Sequence, residues 1–86
     1  MDNPTPPDPQ EQADDYAALV KPGDAVETPD GQLWVVERVA DRDLFVTSAF
    51  TDSAGQICVD IYEPTATTLP KQLAHKVADA RQVRRP

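Results

Sequence analysis

The chain is short of the residues on which most protein chemistry depends. It has one cysteine, one histidine, one tryptophan and three glycines among 86 residues. A lone Cys58 excludes an intramolecular disulfide and any CxxC redox or metal pair, and it agrees with a reducing, cytoplasmic compartment. With His75 as the only imidazole there is no HExxH pattern, and neither a Gly-rich phosphate loop nor a calcium-loop spacing occurs. No apolar run approaches the length of a membrane span. The acidic, Pro-rich beginning is not that of a signal peptide, so a soluble chain with no membrane partner is expected. Basic residues are scarce as well, with eight Lys and Arg against fifteen Asp and Glu, for a net charge of −7.

That charge is uneven. Residues 1–30 hold eight acidic groups against Lys21, whereas residues 64–86 hold Lys71, Lys76, Arg81, Arg84 and Arg85 against Asp79. The whole repels nucleic acid and only the tail tolerates it, which argues against a nucleic-acid partner. The acidic excess serves solubility first.

Turn signals organise the rest. Residues 1–9 carry four prolines and almost nothing to bury, so an acidic, Pro-rich disordered tail is expected there, followed by a single domain over residues 10–86. A short helix is expected over residues 10–20, with Asp8 as its cap and Ala13, Tyr16, Ala17 and Val20 on one side. Four runs of strand character follow, at 25–28, 32–40, 44–50 and 56–63. Pro29-Asp30-Gly31, Asp41-Arg42-Asp43 and Thr51-Asp52-Ser53-Ala54-Gly55 separate them, each short enough for a hairpin. Residues 65–68 read as a polar loop. The spacing of Leu69, Leu73, Val77 and Ala80 predicts a second short helix over 70–79, after which residues 81–84 either add a closing fifth strand or fray.

Alternation assigns faces. Leu33, Val35 and Val39, then Leu44, Val46 and Phe50, then Ile57, Val59 and Ile61 fall on the expected core side. The opposite side carries Trp34, Phe45, Cys58 and Tyr62, too apolar for a surface left to water. Either the terminal helices or a second copy should cover it. Trp34, Phe45 and Tyr62 are therefore the candidate interface residues, since Trp and Tyr are enriched among interface anchors. Asp41, Asp43 and Asp52 sit in turns, where Asp is expected for its own hydrogen bonding. His75 among Lys71 and Lys76 reads as solvated, and Cys58 as a structural thiol.

Gly23-Asp24 and Val26, then a turn with Gly31 and a hydrophobic strand, resemble the opening of SH3-like barrels, including KOW and Tudor-type modules. The expected fold is accordingly mainly β, a small SH3-like barrel of about five antiparallel strands with short N- and C-terminal helical segments. A narrower resemblance is to the plasmid-borne type II dihydrofolate reductases. Gly23, Asp24, Val26, Gly31 and Trp34 fall at that family's spacing, and Val59-Asp60-Ile61-Tyr62 is similar to its Val-Gln-Ile-Tyr. The resemblance implies an assembly of four chains around one pore for folate and NADPH, lined here by Asp60, Ile61 and Tyr62. Asp60 stands where the family has Gln and Thr28 where it has Lys, so such a pore would repel anionic ligands. The function expected is a non-enzymatic barrel that binds a protein or itself, with no cofactor and no metal. The alternatives are a KOW- or Tudor-like nucleic-acid module and a diverged pore enzyme of the reductase type. An acidic decoy mimicking DNA is a further idea, but the acidic groups are too scattered to favour it.

Overall fold

The computed structural model describes residues 20–85, so the tail expected over 1–9 and all but the end of the helix expected over 10–20 lie outside the described residues. Among these residues seven short strands form one sheet: β1 (Ala25–Glu27), β2 (Leu33–Val39), β3 (Asp43–Thr51), β4 (Ile57–Val59), β5 (Ala66–Pro70), β6 (His75–Ala78) and β7 (Val83–Arg84). Their order is β6-β1-β2-β3-β4-β7, with β5 paired to β3. The last two strands follow each other in the chain yet lie at opposite ends of that order. One continuous segment thus touches both edges and bends the sheet into a small, nearly closed barrel. Every pairing is antiparallel except β4 with β7, which is parallel. No helix among the described residues is long and apolar enough to cross a membrane.

The hairpin turns follow from their residues. In the β1–β2 link, the Gly31 N–H donates to the Thr28 carbonyl at 2.8 Å and the Thr28 N–H to the Gln32 carbonyl at 3.1 Å. Pro29 presets the turn, and Gly31, at φ +88°, takes the left-handed position that lets the strands re-pair. The β3–β4 link repeats the bonding, with the Asp52 carboxylate accepting from the Ala54 and Gln56 N–H groups at 2.9 Å each.

Both faces of the central strands are buried, in two clusters. Val20, Val26, Val36, Leu44, Val46, Leu69 and Ala74 form one, joined by half-buried Trp34 and Val39. Ala25, Val35, Ala49, Ala78 and Val83 form the other, joined by Leu33, Ile57 and Val59. A bulge decides who belongs where. Val36 pairs with Val46 and Arg38 with Phe45, so Glu37 is an extra residue in β2. It shifts the alternation by one, and Val39 joins the Val36 side rather than the Val35 side on which alternation placed it. Ile61, expected in the core, is 51 % exposed. The strand ends first, because the Asp60 carboxylate accepts the Tyr62 and Glu63 N–H groups at 3.0 Å each and turns the chain outward.

The expected helix over 70–79 is replaced by a 3-10 turn (Lys71–Leu73), β6, and a second 3-10 turn (Ala80–Gln82). Leu73 and Val77, two of the four residues that suggested it, are 47 % and 42 % exposed, while Ala74 and Ala78 are buried. Helical spacing is a weak prior against a free β1 edge that needs hydrogen-bonding partners. A buried carboxylate completes the anchoring. Asp24 accepts from the Lys21 N–H at 2.9 Å and the Ala80 N–H at 2.8 Å, and pairs with the Lys76 ammonium at 3.3 Å. Lys76 also pairs with Asp79 at 2.8 Å. Beside it, Gly23 at φ +94° leaves no room for a side chain: a Cβ there would lie 2.9 Å from the Ala80 Cβ.

Two outcomes follow from this closure. Gly23→Ala should lower unfolding free energy in urea by about 2–3 kcal/mol, through the clash and the left-handed backbone together. Gly31→Ala, equally left-handed but with open space around it, should cost only about 1 kcal/mol. Equal losses would remove the Ala80 contact from the explanation. The second outcome concerns pH. Lys76, by its hydrogen bond and then its charge, holds the Asp79 carboxyl below the usual range, and Asp79 in turn raises the Lys76 ammonium. A lowered carboxylate contributes stability above its unfolded pKa of about 4 and loses it as pH falls through the folded value. The raised ammonium contributes below its unfolded pKa and loses that stability as pH rises through the folded one. Lys76→Met should therefore flatten the acid limb of the urea midpoint against pH; an unchanged limb would exclude the pair as its source.

Candidate association surface

β3 builds this surface because it changes partner along its length. Its later residues pair with β4 and its earlier ones with β5. Buried Ser48 makes the handover. Its carbonyl accepts the Asp60 N–H at 3.0 Å, its N–H donates to the Thr65 carbonyl at 2.8 Å, and its hydroxyl accepts the Thr65 N–H at 2.9 Å. Residues 66–70, of which 66–68 were expected as loop, thereby become a strand, Ala-Thr-Thr-Leu-Pro. Two β-branched threonines suit it, and Pro64 and Pro70 bound it. Leu69 alone is buried, opposite Leu44.

Among the described residues β5 has no second neighbour. The bonds from Ser48 to Thr65 and from the Lys71 N–H to the Arg42 carbonyl (3.0 Å) give its phase. Residues 65, 67, 69 and 71 direct their backbone groups at β3, so Ala66, Thr68 and Pro70 direct theirs away. Pro70 has no N–H. The edge thus presents two donors and three acceptors. Edge strands are ordinarily protected by charge or bulges, and residues 64–70 carry no charge at all. Beside this edge lies a shallow depression of about 270 Å³ lined by Glu37, Phe45, Thr47, Ala66 and Thr68 among others. The Arg38 guanidinium lies over the Phe45 ring, 4.2 Å from its centre.

The candidate residues separate. Phe45 lines the depression. Tyr62, 83 % exposed, and Ile61 project from the loop that leads into β5. Trp34 lies elsewhere: Leu33 pairs with Ala49 and Val35 with Thr47, which places Trp34 and Phe45 on opposite faces. That pairing corrects their grouping by alternation. The chain itself partly covers Trp34, whose indole N–H donates to the Thr28 hydroxyl at 3.2 Å. Asp60 is occupied as the cap of the turn that exposes Ile61 and Tyr62. The β5 edge escaped the sequence reading; the Thr-Thr pair between two prolines was its one signal.

Several other polar groups are engaged in structure. The Thr28 hydroxyl, donating to Asp30, holds that carboxyl low, and the Gln56 N–H does the same for Asp52. Burial, then the neighbouring Asp52 charge, pushes the Cys58 thiol up, away from the nucleophilic thiolate. His75 borders a second depression, of about 310 Å³, between the β1–β2 turn and the first 3-10 turn. No group of three or more metal-binding side chains occurs among the described residues.

The described residues thus form a small, nearly closed β-barrel with one uncharged strand edge left open. No protein-family model, no curated protein and no solved structure matches the chain.

Trp34 and Tyr62 should behave differently. Trp34→Ala should lower unfolding free energy by about 2 kcal/mol, because it vacates packing against the first cluster and leaves Thr28 without its donor. Tyr62→Ala should stay within about 0.5 kcal/mol of the parent. Urea titration followed by far-ultraviolet circular dichroism reads both, and a large loss for Tyr62→Ala would mean that the exposed loop packs.

Proposed function

We propose that this protein is a small, non-enzymatic, SH3-like barrel that mediates protein–protein association, with itself among the partners. The observation that supports it is the open β5 edge, uncharged from residue 64 to residue 70, beside the Phe45 depression and the exposed Tyr62. A strand edge recognises an extended backbone, and an adjacent apolar hollow accepts a side chain from it. The basic C-terminal residues are drawn into ion pairs, Arg85 with Glu37 at 3.2 Å and Arg81 with Asp79 at 3.7 Å, which supports a protein partner over nucleic acid. The lone Cys58 fits a reducing, cytoplasmic setting.

One observation favours the reductase-like alternative: Ile61 and Tyr62 are exposed, as pore-lining residues of a single protomer would be. Against it, Thr28 supplies no positive charge, and Asp60 is an acceptor-only group where an amide would both donate and accept. Calorimetric titration with NADPH at low salt separates the two readings, since attraction of an anion to a positive site is strongest there. We expect no measurable heat of binding. Saturable micromolar binding would replace association with catalysis, with Ile61 and Tyr62 as the first residues to alter.

A further inference from the structure

We infer that the β5 edge pairs antiparallel with the β5 edge of a second copy of this chain, Ala66 of each opposite Thr68 of the other. This rests on the association reading and names its partner. The outward groups on the edge are self-complementary. In this register the Ala66 and Thr68 N–H groups of each copy meet the Thr68 and Ala66 carbonyls of the other, and no outward donor on β5 is left over. Pro70 of each copy falls opposite Pro64 of the other, and since proline has no N–H their carbonyls are left to water at the ends of the ladder. A register in which Pro70 sat opposite Ala66 would satisfy the same donors and leave the Ala66 carbonyl unpaired instead, so charge decides between the two.

Charge points to the same arrangement. Two chains each carrying −7 meet most cheaply where neither is charged, and residues 64–70 are such a stretch. Just beyond it at either end stand Glu63 and Lys71, the Lys71 ammonium donating to the Asp41 carbonyl at 2.9 Å, and the register that opposes Ala66 and Thr68 brings Glu63 of one copy to the end of the strand pair where Lys71 of the other stands. A two-fold axis repeats that contact. Ala66 and Thr68 share the face of Phe45 and Thr47, so joining the edges places the two Phe45 depressions on one continuous face. A short strand pair with few apolar contacts makes a weak dimer, seen at high micromolar rather than nanomolar concentration.

Sedimentation equilibrium of the full chain over a concentration series is the primary test, and it should show a monomer–dimer equilibrium. Thr68→Pro removes an outward N–H without touching the bonds to β3, and should weaken dimerisation roughly tenfold or more. Glu63→Lys and Lys71→Glu should each weaken it, while an equimolar mixture of the two should recover it, because the mixed pair restores both oppositely charged contacts. This exchange keeps the proposal testable if the proline variant misfolds. A monomer at every concentration would overturn the pairing, as would a dimer indifferent to these changes. Slow amide exchange at Thr68 in a monomer would mean that the edge is already covered and would overturn it too. A monomer that binds no NADPH would leave association with another protein standing, whereas NADPH binding would remove that reading whatever the mass.

Discussion

The buried Asp24 carboxylate is the interaction on which the rest of the barrel depends. It stands just before β1 and holds three groups from different parts of the chain: the Lys21 N–H, the Ala80 N–H and the Lys76 ammonium. A carboxylate removed from water needs such partners, because its alternative is an uncompensated charge. Meeting that need brings β6 alongside β1 and aims the following turn toward β4. The close approach of Ala80 to Gly23 belongs to the same joint. Gly23-Asp24 therefore has a complete structural explanation, and nothing in it requires a ligand.

Closure also decides what stays open. With β6 and β7 on the edges of β1 and β4, three strands among the described residues keep a single neighbour, β5, β6 and β7, and of these β5 alone is uncharged. Ser48 then sets the phase of β5, and phase determines that the groups of Ala66, Thr68 and Pro70 face outward. The surface with most to offer a partner is thus a consequence of how the C-terminal residues are spent, and it carries few of the aromatic residues that usually mark an interface.

The contrast between Trp34 and Phe45 shows why aromatic content misleads in a barrel this small. Simple alternation puts both on one uncovered face. The sheet bends so sharply that the two sides of β2 are both lined by the chain itself, by Val20, Leu69 and Ala74 on one and by Ala78 and Val83 on the other. An apolar second face here marks a folded-over sheet, and among the described residues Tyr62 is the aromatic left furthest outside it.

The sequence by itself determined what depends on near neighbours: the β class of the fold, the hairpin turns at Gly31 and in the Asp52 loop, and burial of Val26, Val35, Leu44 and Val46. Turn chemistry and two-residue alternation act within a few positions, so they can be read without the fold. Only the tertiary structure decided the bulge at Glu37 that moves Val39, the Asx turn that expels Ile61, the replacement of the expected helix by β6, and the open edge of β5. Each depends on a partner far along the chain, and a local pattern carries no record of which distant backbone will compete for its hydrogen bonds.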